Sequence, residues 1–432
     1  MDIESLYSKY QSHPIISTDT RKIIPGSIFF ALKGDHFDGN TFALQALQQG
    51  AAYAIVSDRT LSDPRLMVVE DTLEALQALA SYHRSQLRIP VIGITGSNGK
   101  TTTKELITTV LSKKFKVHAT VGNLNNHIGV PLTILSARPD TEILVCEMGA
   151  NHIGEIASLC NIAAPTHGII TNIGNAHLEG FGSIEGVRKA KGELFDYLQQ
   201  HQGFAFVNAD DSNLRELGES VSNKITYGLN ADAQVQFTYE AQAGKQGFTI
   251  KDKQSDFNIT STMFGHYNAT NMLAAYVIAK HFSVELKDIQ ASLAGFVPGA
   301  NRSEIVTIKD CLIVKDAYNA NPSSMALAIE AFSTQYPTGW IVLGDMKELG
   351  DASHASHLQI IKQVASQKFS RIYLIGNAFN TAFKSDLLND PRFAAMDSVE
   401  TLKGKWSWND CQGQTILLKG SRSMHLEVLL EQ

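Results

Sequence analysis

The sequence predicts an α/β protein of three domains whose middle domain is a doubly wound, mainly parallel sheet. Three observations predict it. The chain has 432 residues, too many for one ordinary core at roughly 100 to 200 residues per domain. From about residue 87 to 299 short apolar strands alternate with helical periodicity, the pattern of parallel strands that need crossovers and bury both faces. Near residue 300 a second series of strands and helices begins.

The elements follow in order. Residues 1–86 hold short apolar runs, "SIFFAL", "AAYAIVS" and "LMVVED", separated by turn-rich pieces such as "KGDHFDGN", and are expected to form a small mixed α/β domain. "TLEALQALASYHRSQ" has apolar residues at helical spacing and is expected to bridge to the next domain. In the middle domain, 87–299, the strand "VIGIT" leads to the helix "KTTTKELITTVLSKKF", then strand "EILVCEMG", helix "GEIASLC", strand "HGIITNIG" and a helix from about Ser183 to Gln199. "YEAQAGKQGFTIKDKQSDFNITSTMFGHYN" alternates like antiparallel strands, and "NATNMLAAYVIAKHF" reads as an apolar helix. The last domain, 300–432, carries the strands "CLIVKDAYN", "GWIVLGDM", "RIYLIGN" and "QTILLKGS", spaced as in a Rossmann-like sheet.

Composition narrows the function. Hydrophobic residues make up 44% and charged residues 19%, as in a globular protein, and the net charge of −6 offers no general attraction to nucleic acid. Cys146, Cys160, Cys311 and Cys411 are far apart, which favours buried reduced thiols over a zinc site or disulfides. No basic leader opens the chain and no apolar run reaches the ~18 residues of a membrane span, so a cytoplasmic, monomeric protein is expected.

The chemistry starts at "GITGSNGKTTTKE". A phosphate loop needs small residues that turn backbone N–H groups to the anion, a helix N-terminus, a lysine and a hydroxyl for Mg²⁺. Gly96, Ser97, Asn98, Gly99, Lys100, Thr101 and Thr102 supply these, although Ile94 stands where the strict motif has its first glycine. An ordinary strand-turn-helix junction would explain the glycines but not the ordered Gly-Lys-Thr. Glu147 ends the strand "ILVCE", where an acidic Mg²⁺ ligand belongs; alone it reads equally as a helix N-terminal carboxylate. His177 follows "GIITNI" and is a candidate for a second metal, against the commoner structural role of a loop histidine. Lys189 and Lys191, taken as helix lysines, should point to solvent.

The loop "TGSNGKTTTKE", with "TVGNLNNHIGVPLTIL", "EMGANHIGEI", "ITNIGNAHLEGFGSIEGVRKAKGE", "GHYNATNMLAA" and "DAYNANPSSM" in that order, resembles the Mur ligases. "STDTRKIIPGSIFFALKGDHFDGNTF", "VLGDMKELG" and "KGSRSMHLE" extend the resemblance over nearly the whole chain. It implies an ATP-dependent ligase that joins D-alanyl-D-alanine to a UDP-N-acetylmuramoyl-tripeptide through an acyl phosphate. It further implies that Lys100 holds the β- and γ-phosphates, that Thr101 and Glu147 hold one Mg²⁺, and that His177 and a carbamylated Lys191 support a second. Asn268 and Asn271 would meet adenine, Arg302 the ATP phosphates and Asp316 the ribose. Asn123, Asn125 and Asn126 would lie along the UDP-muramoyl path and Thr20 and Arg21 near the uridine, with the dipeptide near Tyr318, Asn319 and Asn321. A sister ligase or a folylpolyglutamate synthase-like enzyme would share the chemistry with another amine. A nucleotide-binding switch is the rival of another class; no guanine-reading Asn-Lys-x-Asp follows the loop.

Overall fold

The computed structural model describes residues 2–175, 178–230, 232–241, 247–299, 301–385 and 389–431. Among these, the strands form three large sheets and one short hairpin. The first sheet is parallel throughout, in the order Ile16–Ser17, Ile28–Phe30, Tyr53–Val56, Leu66–Val68. The helix Thr72–Gln86 leaves it, capped by Asp71, whose carboxylate accepts from the N–H groups of Leu73 and Glu74. That helix is the expected bridge. Arg84 near its end donates to the carbonyls of Ala163 at 2.8 Å and Ala164 at 2.9 Å in the middle unit.

The second sheet has nine strands among the described residues, in the order Asn258–Ser261, Phe248–Asp252, Val235–Glu240, Asn223–Gly228, Phe204–Asn208, His167–Ile170, Val91–Thr95, Ile143–Glu147, Val117–Ala119. The first three pair antiparallel and the others parallel, so the antiparallel reading of "YEAQAGKQGFTIKDKQSDFNITSTMFGHYN" holds at Phe248–Asp252 and Asn258–Ser261, one edge of the sheet, while its last residues, His266 to Asn268, open the following helix. Three parallel strands escape the sequence reading. "VHA" has only three residues, and "NKITYG" begins on exposed and half-buried polar residues that break its apolar run; "FAFVN", the central strand, is as long and as buried as the strands that were read. The third sheet runs Glu304–Ile308, Cys311–Asp316, Thr415–Lys419, Trp340–Gly344, Arg371–Ile375, Phe393–Met396, parallel except for its first pair.

The seams between units differ in kind. One apolar core runs from Tyr10, Phe30, Leu76 and Leu79 of the first unit to Leu135, Leu144 and Leu159 of the second. The third unit instead meets the second largely through polar groups, with Phe264 as an apolar plug in the core around Val314 and Phe332. All four cysteines are buried and free, and no helix among the described residues is long and apolar enough to cross a membrane.

Candidate active site

The strand Val91–Thr95 is buried on both faces and ends at the loop that precedes the helix Lys100–Leu111. In a parallel sheet this places the loop at the carboxyl edge, where ligands bind. Gly96 turns the chain at φ 140°, and a Cβ there would stand 2.1 Å from the Thr171 hydroxyl oxygen, so no larger residue fits. Gly99, at φ 79°, caps the helix. The loop is braced from the neighbouring strand's end. Ser97 donates its N–H to the Asn172 carbonyl at 3.0 Å, Asn98 donates its N–H to Asn172 Oδ1 at 3.0 Å, and the Asn98 carbonyl accepts from Thr171 Oγ1 at 2.6 Å and Asn172 Nδ2 at 2.9 Å. The first helical turn keeps N–H groups without intrahelical partners, at the positive end of the helix dipole. Lys100 folds back so that Nζ donates to the Gly96 carbonyl at 2.7 Å. Burial pushes its ammonium below the ordinary lysine value, which Glu147 opposes and Arg302 reinforces.

Gly96→Ala is expected to cost about 1–3 kcal/mol of stability through backbone strain and the Thr171 clash, and to weaken nucleotide binding with it. Denaturant melts and nucleotide titration of the variant check this; unchanged binding would mean the loop tolerates a side chain.

Glu147 lies beside that loop because strands Val91–Thr95 and Ile143–Glu147 pair in register Ile94 to Glu147. Only 1% exposed, its carboxylate accepts at Oε1 from Thr101 Oγ1 at 3.2 Å and Asn125 Nδ2 at 2.8 Å. Its Oε2 accepts no hydrogen bond; the nearest cation is Lys104 Nζ at 3.8 Å. A buried carboxylate oxygen without a donor, next to a threonine hydroxyl, fits a hard divalent cation that takes oxygen ligands. Among the described residues no group of three His, Cys, Asp or Glu side chains could hold a metal. A cation held by Thr101 and Glu147 would complete its shell with phosphate oxygens and water.

Lys191 departs from the solvent-facing reading of a helix lysine. On the helix Ile184–Gln200 it is turned inward, 1% exposed, with Nζ donating to the Ala150 carbonyl at 3.2 Å and lying 5.1 Å from the Phe181 ring centroid. Burial, with Lys100 nearby, pushes its ammonium down to about 7, against the pull of Glu155 and Glu193. Lys189, two residues earlier, is exposed. His177 lies outside the described residues.

A cavity of about 700 Å³ joins the loop to the third sheet. Its walls include Ser97, Asn98, Gly99, Lys100, Thr101 and Thr102 from the loop, Asn123, Asn125, Asn126 and Glu147, Asn268 and Asn271, and Arg302, Asp316, Tyr318, Asn319 and Asn321. Asn268 and Asn271, on the helix His266–His281, are buried; Asn271 Nδ2 donates to Asn268 Oδ1 at 3.2 Å, and a Cβ on Gly99 would stand 2.8 Å from Asn271 Oδ1. The Arg302 guanidinium lies over the Tyr318 ring, 3.7 Å from its centroid. Asp316 pairs through Oδ2 with Lys419 Nζ at 2.8 Å, while Oδ1 accepts a longer bond, 3.4 Å, from Ser303. Asn126 Oδ1 accepts from the N–H groups of Ile128 and Gly129 at the start of a helix.

Thr20 and Arg21 do not line this cavity. They sit at the surface of the first unit, where the exposed Arg21 forks onto Asp19. Lys191 is not among the cavity's lining residues; its Nζ meets the carbonyl of Ala150, which is. Sequence reasoning passed over Lys104, Asn172, Ser323 and Lys419. Lys104 was signalled by its place one helical turn after Lys100 in "GKTTTKE", Asn172 and Lys419 by their positions at strand carboxyl ends; nothing marked Ser323.

Fold and site together define a nucleotide-binding α/β protein with a phosphate loop and an acidic metal position facing a third, Rossmann-like sheet. The chain belongs to the Mur ligase family: residues 14–92 match the family's catalytic domain, 94–279 its middle domain and 301–422 its glutamate ligase domain. It is 36% identical over 425 residues to the UDP-N-acetylmuramoyl-tripeptide–D-alanyl-D-alanine ligase of Bacillus subtilis, covering 96% of this chain and 92% of that protein. A crystal structure of MurF from Acinetobacter baumannii matches with TM-score 0.89 at 31% identity, over 99% of this chain and 97% of that one. MurF from Thermotoga maritima, solved in complex with ADP, matches with TM-score 0.83 at 28% identity, over 96% of each chain.

Proposed function

We propose that this chain joins D-alanyl-D-alanine to a UDP-N-acetylmuramoyl-tripeptide at the expense of ATP, in the synthesis of peptidoglycan precursors. The observation that carries the reading is the single cavity on which the phosphate loop, Glu147 and the third-sheet residues Arg302, Asp316 and Tyr318 converge. A carboxylate is a poor electrophile at neutral pH. In the first step its oxygen attacks the γ-phosphorus of ATP, giving an acyl phosphate and ADP. In the second the free amine of the dipeptide attacks the acyl carbon, the C–O bond to phosphate breaks, and phosphate leaves as the amine loses its proton.

The chain's contribution is to position the reactants and offset charge. Lys100 swings from the Gly96 carbonyl to the β- and γ-phosphates, and the first turn of its helix presents N–H groups to the same anion. Asn268 and Asn271 border the adenine, Arg302 the phosphates and Asp316 the ribose. Asn123, Asn125 and Asn126 line the muramoyl path, Thr20 and Arg21 hold the uridine end, and Tyr318, Asn319 and Asn321 border the dipeptide. Mg²⁺ bound by Thr101 and Glu147, with a second held by His177 and a carbamylated Lys191, would neutralise phosphate charge.

The test is ADP release with UDP-tripeptides ending in meso-diaminopimelate or L-lysine and a panel of D-dipeptides and amino acids. D-alanyl-D-alanine should give the highest kcat/KM. Faster ligation of D-glutamate, L-lysine or diaminopimelate to a shorter UDP-peptide would replace this reading with a sister ligase.

Asp316→Asn is expected to raise KM for ATP about tenfold while leaving the fold intact, because the amide keeps a hydrogen-bonding oxygen for Lys419 but loses the anion. Initial rates against ATP concentration decide it, and an unchanged KM removes Asp316 from the nucleotide site.

A further inference from the structure

Asn98 sits mid-loop with both main-chain groups taken by Thr171 and Asn172, so its side chain projects in a fixed direction. Its Oδ1 accepts from Asn321 Nδ2 at 2.8 Å, across 223 residues of sequence and from the third unit to the second. Asn321 is itself held. It caps the helix Pro322–Gln335 in a reciprocal box, Oδ1 accepting from the Ser324 N–H at 2.9 Å and its own N–H donating to Ser324 Oγ at 3.1 Å. Two residues on, Ser323 Oγ accepts from the Asn175 N–H at 2.7 Å. The approach there is close: a Cβ on Gly174 would stand 2.9 Å from the same oxygen. Gly174 in turn exchanges hydrogen bonds with the Ser97 hydroxyl at 2.9 and 3.0 Å, which returns the chain of contacts to the phosphate loop.

We infer that Asn321 and Ser323 are positioning residues forming a latch between the third unit and the phosphate loop, so that the state of the loop governs how firmly Arg302, Asp316 and Tyr318 are held over the nucleotide. The inference rests on the ligase reading only for the assignment of the loop to ATP. Both contacts join neutral groups, whose hydrogen bonds exchange with water at little net gain. A latch so made can close and open within a turnover while Phe264 keeps the two units joined at their apolar plug. Asn321 has its oxygen and one amide hydrogen engaged, so its influence on the dipeptide region runs through placement of the helix it caps.

The test uses the full chain with Glu219→Cys and Ser366→Cys, both exposed, labelled for single-molecule energy transfer; the native cysteines are buried and stay unlabelled. In saturating adenylyl imidodiphosphate, Asn321→Ser should lower the closed-to-open ratio roughly fivefold, the value of one neutral hydrogen bond. Melting temperature should hold because serine still caps the helix. Asn98→Ala combined with Asn321→Ser should shift the ratio no further than either alone. An unchanged ratio in Asn321→Ser, additive effects in the double variant, or a wild-type ratio indifferent to the analogue would each overturn the latch. Failure to ligate D-alanyl-D-alanine would strike the proposed function alone, because these measurements need only nucleotide.

Discussion

Alanine in place of Lys191 is expected to lower ligation by about 10²–10³-fold, with millimolar formate or acetate restoring part of it. The side chain is enclosed, near Lys100, and faces the Ala150 carbonyl, a poor setting for an ammonium. An amine pushed down to about 7 is substantially neutral at physiological pH, so it can add to CO₂, forming an N–C bond and releasing one proton. A carbamate formed there would offer two oxygens to a hard cation that an ammonium would repel. Small carboxylates mimic those oxygens, which is why rescue separates this role from a packing role. Full activity in Lys191→Ala would end the proposal.

The same burial sets a pH signature. The unfolded lysine titrates near 10.5 and the folded one near 7, so between those values the unfolded chain binds more protons. The cost of burying the charge is fully present below about pH 7 and is relieved as pH rises through the window, so stability contributed by this site climbs with pH. In CO₂-free, Mg²⁺-free buffer, where the side chain is the free amine, Lys191→Ala should flatten that climb in melting curves.

Lys100→Ala is expected to reduce turnover by roughly 10³-fold with little loss of stability. Among the described residues its side chain bonds to the carbonyls of Gly96 and Ser97, which the helix N-terminus and loop bracing hold without it. What it supplies is charge beside the transferred phosphoryl group. Quenched-flow measurement of ADP formation checks this; near-normal turnover would place the nucleotide elsewhere.

The phosphate loop and Glu147 were legible because their chemistry is local: a strand, small residues and a helix start in one continuous stretch, then an acid at the end of the next long apolar strand. The sheet was legible where strands were apolar throughout, and not at "VHA", which is only three residues, or at "NKITYG", whose polar residues break the apolar run. Residue periodicity could not tell that Lys191 faces inward, since a lysine on an amphipathic helix normally snorkels outward; the helix packed over Ala150 and Phe181 decided it. Asn172 and Ser323 act through partners about 74 and 148 residues away, a relation no local pattern encodes.

The apolar core shared by the first two units has a consequence for how the molecule comes apart. Cutting the chain after the helix Thr72–Gln86 would strip Leu135, Leu144 and Leu159 of their cover and leave the Leu135 carbonyl without the Tyr10 hydroxyl that now donates to it at 2.8 Å. The nucleotide-binding sheet therefore cannot be isolated as a soluble fragment without its N-terminal neighbour, and the two should melt as one cooperative block. The third unit, joined through polar bonds and Phe264, can loosen first and refold onto a block that has kept its shape.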